Sequence, residues 1–214
     1  MKILYEDAAL WVVVKPQNIS SESTERQDGL ADLLAAENGG YAGVVHRLDF
    51  SVGGVMLYAK TKAAAAELCR QVQERSMQKE YLALMHGIPE QQAGEMRDLL
   101  FYDRRQGKSF VADRARAGVK EAILTYTVRK TLDQTLYGPI SLASVLLQTG
   151  RTHQIRVQLA SRGHSLLGDG KYGAREKCPI GLFCHRISFV HPITKKPMQF
   201  SEMPQGAPWD LILP

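Results

Sequence analysis

His46-Arg47-Leu48-Asp49 places a guanidinium and a carboxylate two residues apart, between the apolar pair Val44-Val45 and the glycines Gly53-Gly54. Val55-Met56-Leu57-Tyr58 follows, so the segment reads as strand, tight loop, strand. Side chains two residues apart in an extended chain share a side, so Arg47 and Asp49 are expected to face one cavity. A carboxylate beside a guanidinium stays ionised at neutral pH, because the opposite charge favours the anion. An ionised carboxylate can act as a nucleophile. The competing reading of the same residues is an ordinary loop ion pair, of the kind common on protein surfaces.

A second segment carries complementary chemistry. Gly150-Arg151-Thr152-His153-Gln154-Ile155-Arg156-Val157 opens a helix predicted over 152–162, with Ile155 and Leu159 four apart on one stripe. Thr152 is the expected N-cap, and Gly163 stands where a helix commonly stops. His153 and Arg156 are three apart and share a face near the positive end of that helix, which suits an anion.

Three further stretches join these two: "KEYLALMHG" at 79–87, "GDGKYG" at 168–173 and "HRISFVHPIT" at 185–194. Together with "VVHRLD" at 44–49 and "GRTHQIRVQLASRGH" at 150–164, in that order and spacing, the chain resembles the RluA-type RNA pseudouridine synthases. The resemblance implies an enzyme that breaks the bond between a uracil ring and its ribose in RNA, turns the ring and rejoins it through carbon. On the matching positions Asp49 is the nucleophile of a covalent intermediate, with attack on the ring or on the anomeric carbon both open. Tyr81 matches the active-site tyrosine that lies against the base. Arg156 matches the basic residue paired with the catalytic aspartate, and Arg47 the arginine that helps hold the target nucleotide out of its stack. Arg47, His46, Arg151 and His153 form the substrate-binding set, with His46 read as a hydrogen-bonding brace for the loop. The physical logic agrees, since a base inside a helix must be flipped out before chemistry and an aromatic face stabilises it by stacking. The reaction is an isomerisation, so no cofactor, nucleotide or metal is implied.

The chain departs from the family pattern in places. Val52-Gly53-Gly54 stands where Thr-Ser-Gly is common, Asn18 where glycine is usual after Lys15-Pro16, and Glu22 where histidine is common. Asn tolerates left-handed backbone better than most residues, so the turn at Asn18 is expected to survive.

Composition points the same way. The 214 residues, 44% of them hydrophobic, support one large domain or two small ones with a substantial core, and the resemblance implies a single catalytic domain over 1–214. Net charge is +5 with a pI near 9.1. Its distribution is uneven: residues 1–40 carry three Lys/Arg against seven Asp/Glu, whereas 104–130 carry eight against two and 151–175 five against one. The basic residues gather mid-chain and around Arg156, which favours a nucleic-acid face; the resemblance makes the expected partner RNA, ribosomal or transfer. The polar N-terminus and the lack of any membrane-length apolar run predict a cytoplasmic protein without membrane attachment. The catalytic-domain pattern begins at once, so a small RNA-binding domain in front is not expected. Three cysteines do not suggest a disulfide framework. Cys178, Cys184, His185 and His191 lack paired Cys-x-x-Cys knuckles, so zinc is not expected either. Gly168–Gly173 formally fits a dinucleotide fingerprint, but it follows a helix end and reads better as a turn supporting the active-site rim.

The elements needed to position these residues are strands over 9–14, 55–60, 79–86, 121–129, 141–148 and 182–190, and helices over 28–37, 61–76 and 152–162. Residues 101–118 read as a charged loop. Strands outnumber helices without alternating with them, so the fold class is α+β. The resemblance implies a mixed, mostly antiparallel central sheet with flanking helices and a catalytic cleft. Two rival functions remain: an RNA-binding or ribosome-assembly protein on the same fold with lost activity, and a carboxylate glycosidase. The glycosidase needs a second carboxylate as acid or base, and none lies in these motifs.

Overall fold

The computed structural model describes residues 1–24 and 27–213. Its strands are β1 (Lys2–Glu6), β2 (Leu10–Lys15), β3 (Gly43–Val44), β4 (Gly53–Ala59), β5 (Gln78–His86), β6 (Ala93–Asp103), β7 (Lys108–Val111), β8 (Val119–Leu132), β9 (Ile140–Leu147), β10 (Leu182–Val190) and β11 (Pro197–Ser201). The helices are α1 (Leu30–Glu37), α2 (Lys62–Gln73) and α3 (Gln154–Ala160). Helices are few and most strand pairs antiparallel, with β4 and β10 running parallel, as an α+β mixed sheet requires. The chain divides into two compact units, Met1–Lys79 with Phe183–Pro204, and Glu80–Leu182 with the segment from Gln205 onward.

In the first unit β2 lies antiparallel between β1 and β4, in the register Val12↔Leu57. All seven residues of β4 are buried, so its sequence is apolar on both faces. Val55, Leu57 and Ala59 face a cluster with Val12, Ala64, Leu68, Ile187 and Phe189. A fully buried leucine such as Leu57 or Leu68 contributes roughly 1.5–3 kcal/mol. The α2 helix starts at Thr61, whose hydroxyl accepts from the Ala64 amide at 3.1 Å. It ends at Gln73, short of the predicted 76, because Arg75 turns left-handed with φ 60°. Opposite Cys184 of β10 stands Gly54, with φ 134°. A Cβ there would lie 2.4 Å from the Cys184 amide nitrogen, so this close strand approach admits no side chain.

In the second unit β5, β9, β8, β6 and β7 pair antiparallel in that order. Residues Gln154–Leu159 of α3 are all buried, and the amide nitrogens of its two glutamines are paired. Gln154 Nε2 donates to the Ile123 carbonyl at 3.1 Å, and Gln158 Nε2 to Asp98 Oδ2 at 2.7 Å. Val157 packs with Leu100, Ala122 and Tyr172.

Two sequence expectations need correction here. Residues 101–118 are not simply a loop: β6 and β7 form a hairpin in the register Phe101↔Phe110. Only Met96 and Leu100 of the eleven β6 residues are buried, so the strand has almost no apolar alternation to betray it. The N-cap of α3 is His153 rather than Thr152, with φ 55°. The helix ends at Ala160, short of the predicted 162, and the turn after it closes at Gly163, where the His164 amide reaches the Leu159 carbonyl at 3.0 Å and φ of Gly163 is 83°.

Candidate active site

In the first unit, the segment from β3 to β4 is the expected strand, loop and strand, closed by antiparallel pairing of Val44 with Tyr58. Asp49 opens a β-turn, in which the Val52 amide donates to the Asp49 carbonyl at 3.0 Å. The loop is fastened from several sides. The Leu48 amide donates to Ser21 Oγ at 3.1 Å, and that hydroxyl donates back to the Leu48 carbonyl at 2.9 Å. Tyr58 Oη donates to the Ser21 carbonyl at 2.8 Å, which fixes the serine in turn.

Lys15 lies below this turn with no solvent exposure. Its ammonium donates to the carbonyls of Pro16 at 2.9 Å, Ile19 at 2.7 Å and, more weakly, Phe50 at 3.4 Å. Burial pulls its pKa down to about 8, and the negative charge of Asp49 opposes that fall. Most Lys15 is therefore still charged at neutral pH, a buried cation near the carboxylate. Sequence reasoning registered Lys15-Pro16 only as a motif match. A lysine that ends an otherwise apolar strand was the available signal.

Arg47 is exposed and paired with Glu22 at 2.7 Å. That pair links the loop to the position where family members commonly carry histidine. His46 lies behind the loop, buried, where its Nε2 accepts from the Leu57 amide at 3.3 Å. Burial, and then the charge of Lys79, holds its pKa well below the usual histidine value. His46 is thus a neutral brace, and its buried ring offers a substrate little to contact.

The second unit carries the other expected residues. Tyr81 sits in β5 opposite Val145 of β9, buried in a strand that is apolar on both faces. Arg156 is buried on α3 and meets Asp169 side-on. Its Nε donates to Oδ2 and its Nη2 to Oδ1, both at 2.8 Å. Asp169 belongs to the 168–173 turn, and so does Tyr172, whose hydroxyl lies 3.0 Å from His153 Nδ1. The guanidinium carbon of Arg156 stands 5.2 Å from the centroid of the Tyr172 ring. One turn therefore holds both side chains, His153 and Arg156, that the sequence placed on one helix face. The left-handed backbone at His153 accompanies this arrangement, and a helical N-terminal pattern does not encode it. Tyr172 Oη also accepts from the Ser109 amide at 2.8 Å, tying the β6–β7 hairpin to the same turn. Arg151, expected to bind substrate, is half-buried, and its Nε donates to the Glu121 carbonyl at 2.8 Å. His185 and His191 are braces: His185 Nδ1 meets the Glu202 carbonyl at 2.7 Å, and His191 Nε2 meets Asp7 Oδ2 at 2.7 Å.

A family model described as RNA pseudouridylate synthase matches residues 9–161, the stretch that contains Lys15, Asp49, Tyr81 and Arg156. The chain belongs to the RNA pseudouridylate synthase family. It is 34% identical over 203 residues to an uncharacterized RNA pseudouridine synthase, YhcT, of Bacillus subtilis, covering 91% of this chain and 65% of that protein. It is 32% identical to ribosomal large subunit pseudouridine synthase D of Zymomonas mobilis, covering 96% and 70%. It is 31% identical to the dual-specificity RNA pseudouridine synthase RluA of Haemophilus influenzae, covering 94% and 92%. Human RNA pseudouridylate synthase domain containing 1 shares the fold, with a TM-score of 0.77 at 24% identity over 95% of this chain and 83% of that one. This family member differs from the common motif at Gly53, where a Cβ would lie 3.2 Å from the Lys15 carbonyl. A serine there would require the Lys15 carbonyl to give way by a few tenths of an ångström.

Proposed function

We propose that this protein is an RNA pseudouridine synthase that isomerises a specific uridine in ribosomal or transfer RNA through a covalent intermediate on Asp49. The observation that carries the reading is the Asp49 turn, a half-buried carboxylate on a rigidly fastened loop with the buried Lys15 cation near it. A preorganised carboxylate of this kind is what nucleophilic catalysis needs. In the reaction the glycosidic C1′–N1 bond breaks and a C1′–C5 bond forms, so C5 loses a proton and N1 gains one. No oxidant, water or group donor is consumed. In this reading Tyr81 is the tyrosine that lies against the uracil, Arg156 the basic residue of the catalytic set, and Arg47 the arginine that helps hold the nucleotide outside its stack. The names of the Zymomonas and Haemophilus relatives support RNA, including large-subunit ribosomal RNA, as the substrate class.

RNA labelled with tritium at uridine C5, taken from cells lacking the gene, tests the reading. Wild-type protein should release tritium to water, and Asp49→Asn should release none while keeping its fold and RNA affinity. Release by the Asn variant at the wild-type rate would remove Asp49 from the mechanism. Absence of any gene-dependent pseudouridine in total cellular RNA would overturn the activity itself.

A further inference from the structure

Phe50 follows Asp49 directly and occupies the first corner of the Asp49–Val52 turn. The residue is 48% exposed, and it is the only exposed one among six phenylalanines, all within the described residues. Turn corners normally carry proline, glycine or short polar residues, each for a backbone reason. A phenylalanine there serves no such purpose, and with about half its surface exposed it forgoes much of the packing that a core ring makes.

Looseness does not explain the exposure, because the backbone beneath the ring is held. The Asn18 amide donates to the Phe50 carbonyl at 2.8 Å, and the buried Lys15 ammonium approaches the same oxygen at 3.4 Å. Asn18 itself adopts a left-handed φ of 61°, so a strained turn positions this donor. The structure thus presents an apolar ring on a rigid mount, one residue from the carboxylate and three from the exposed Arg47. A local rule broken without a structural return is where function is expected.

We infer that Phe50 is a stacking platform for an unpaired nucleobase of the substrate, next to the uridine that Asp49 attacks. The inference rests on the RNA-modifying reading above and adds a contact to it. Extruding a nucleotide leaves its neighbours partly unstacked. An aromatic face can take up one of them without regard to its identity, since every base has a π-face. Arg47 beside it can meet the backbone charge of the same strand.

Two variants test this. Trp11 and Trp209 are 1% and 2% exposed, so Phe50→Trp introduces the only solvent-facing indole among the described residues. Its emission should be quenched by a single-stranded oligouridylate, while wild-type emission should not change. Phe50→Ala should raise KM for tritium-labelled RNA about tenfold, as expected for loss of one stacked base, with the larger share of its effect on KM. Phe50→Trp should recover most of that loss. Emission of Phe50→Trp that ignores oligouridylate, or a wild-type KM in Phe50→Ala, would overturn the inference. So would an emission change that follows protein concentration without RNA, which would mark a protein contact instead. Failure of the wild type to release tritium would defeat the synthase reading alone, since quenching reports stacking without turnover.

Discussion

Arg156 and Asp169 form a buried, side-on, bidentate pair, with both N–H···O distances 2.8 Å and neither side chain appreciably exposed. Using Nε and one terminal nitrogen fixes the plane of the guanidinium and directs its second terminal nitrogen away from Asp169. The pair therefore sets the orientation of Arg156 as well as neutralising it.

Breaking one side of such a pair leaves a buried charge uncompensated, which costs about 3–5 kcal/mol. Asp169→Asn should therefore lower the unfolding free energy by several kcal/mol, measured by urea titration, and depress activity under conditions where the fold persists. An Asn variant as stable as wild type would show that solvent or another group takes over the role of Asp169.

Arg156 should tolerate neither loss of charge nor loss of shape. Lysine keeps the charge but cannot reproduce the planar fork. Arg156→Lys should retain a minor fraction of turnover and Arg156→Ala nearly none, by tritium release at saturating RNA. Equal activities in the two would refute a role for the cation.

Lys15 predicts a pH dependence. Its pKa falls from 10.5 to about 8 on folding, so between those values the unfolded chain binds more protons than the native one. Stability from this group therefore rises as pH rises from about 8 to 10.5. Lys15→Met lacks that gain. The difference in unfolding free energy, wild type minus variant, should grow by about 3 kcal/mol at most across the window. A difference that stays flat with pH would mean that Lys15 titrates as an ordinary surface lysine.

The β6–β7 hairpin predicts a salt effect. Arg104, Arg105 and Arg114 are exposed, whereas Lys108 is half-buried with its ammonium 4.8 Å from the Tyr172 ring centroid. Each phosphate contact contributes about 0.7–0.9 to the slope of log affinity against log salt. Replacing the three arginines by alanine should flatten that slope by roughly 2 and weaken binding, with little effect on turnover once RNA saturates. An unchanged slope would place the RNA elsewhere.

What the sequence made legible was local. The apolar run of β4, the start of α2 beside residue 61 and the turn at Gly163 each rest on residues close together in the chain, and each stands where expected. Asp49, Arg47 and His46 were found together for the same reason. The Arg156–Asp169 clamp was not legible, because both its partners and their burial are tertiary. The Lys15 cation was hidden because a lysine at a strand end ordinarily reaches for solvent. The hairpin was masked by its own charges, which give a strand and a loop the same composition. His46 was legible as a brace, but its complete withdrawal behind the loop came from the packing of β4.

The parallel contact of β10 with β4 at Gly54 has a consequence for biogenesis. The strand that completes the Asp49 unit is translated only after all of residues 80–182. At about 5–20 residues per second, the nascent β4 edge waits on the order of ten seconds for its partner. During that interval the second unit, nearly continuous in sequence, can fold first as the polypeptide leaves the ribosome. The carboxylate's loop is thus among the last parts of the molecule to acquire its neighbours, and a nascent chain cut short before β10 would carry every motif residue named here on an unfinished sheet.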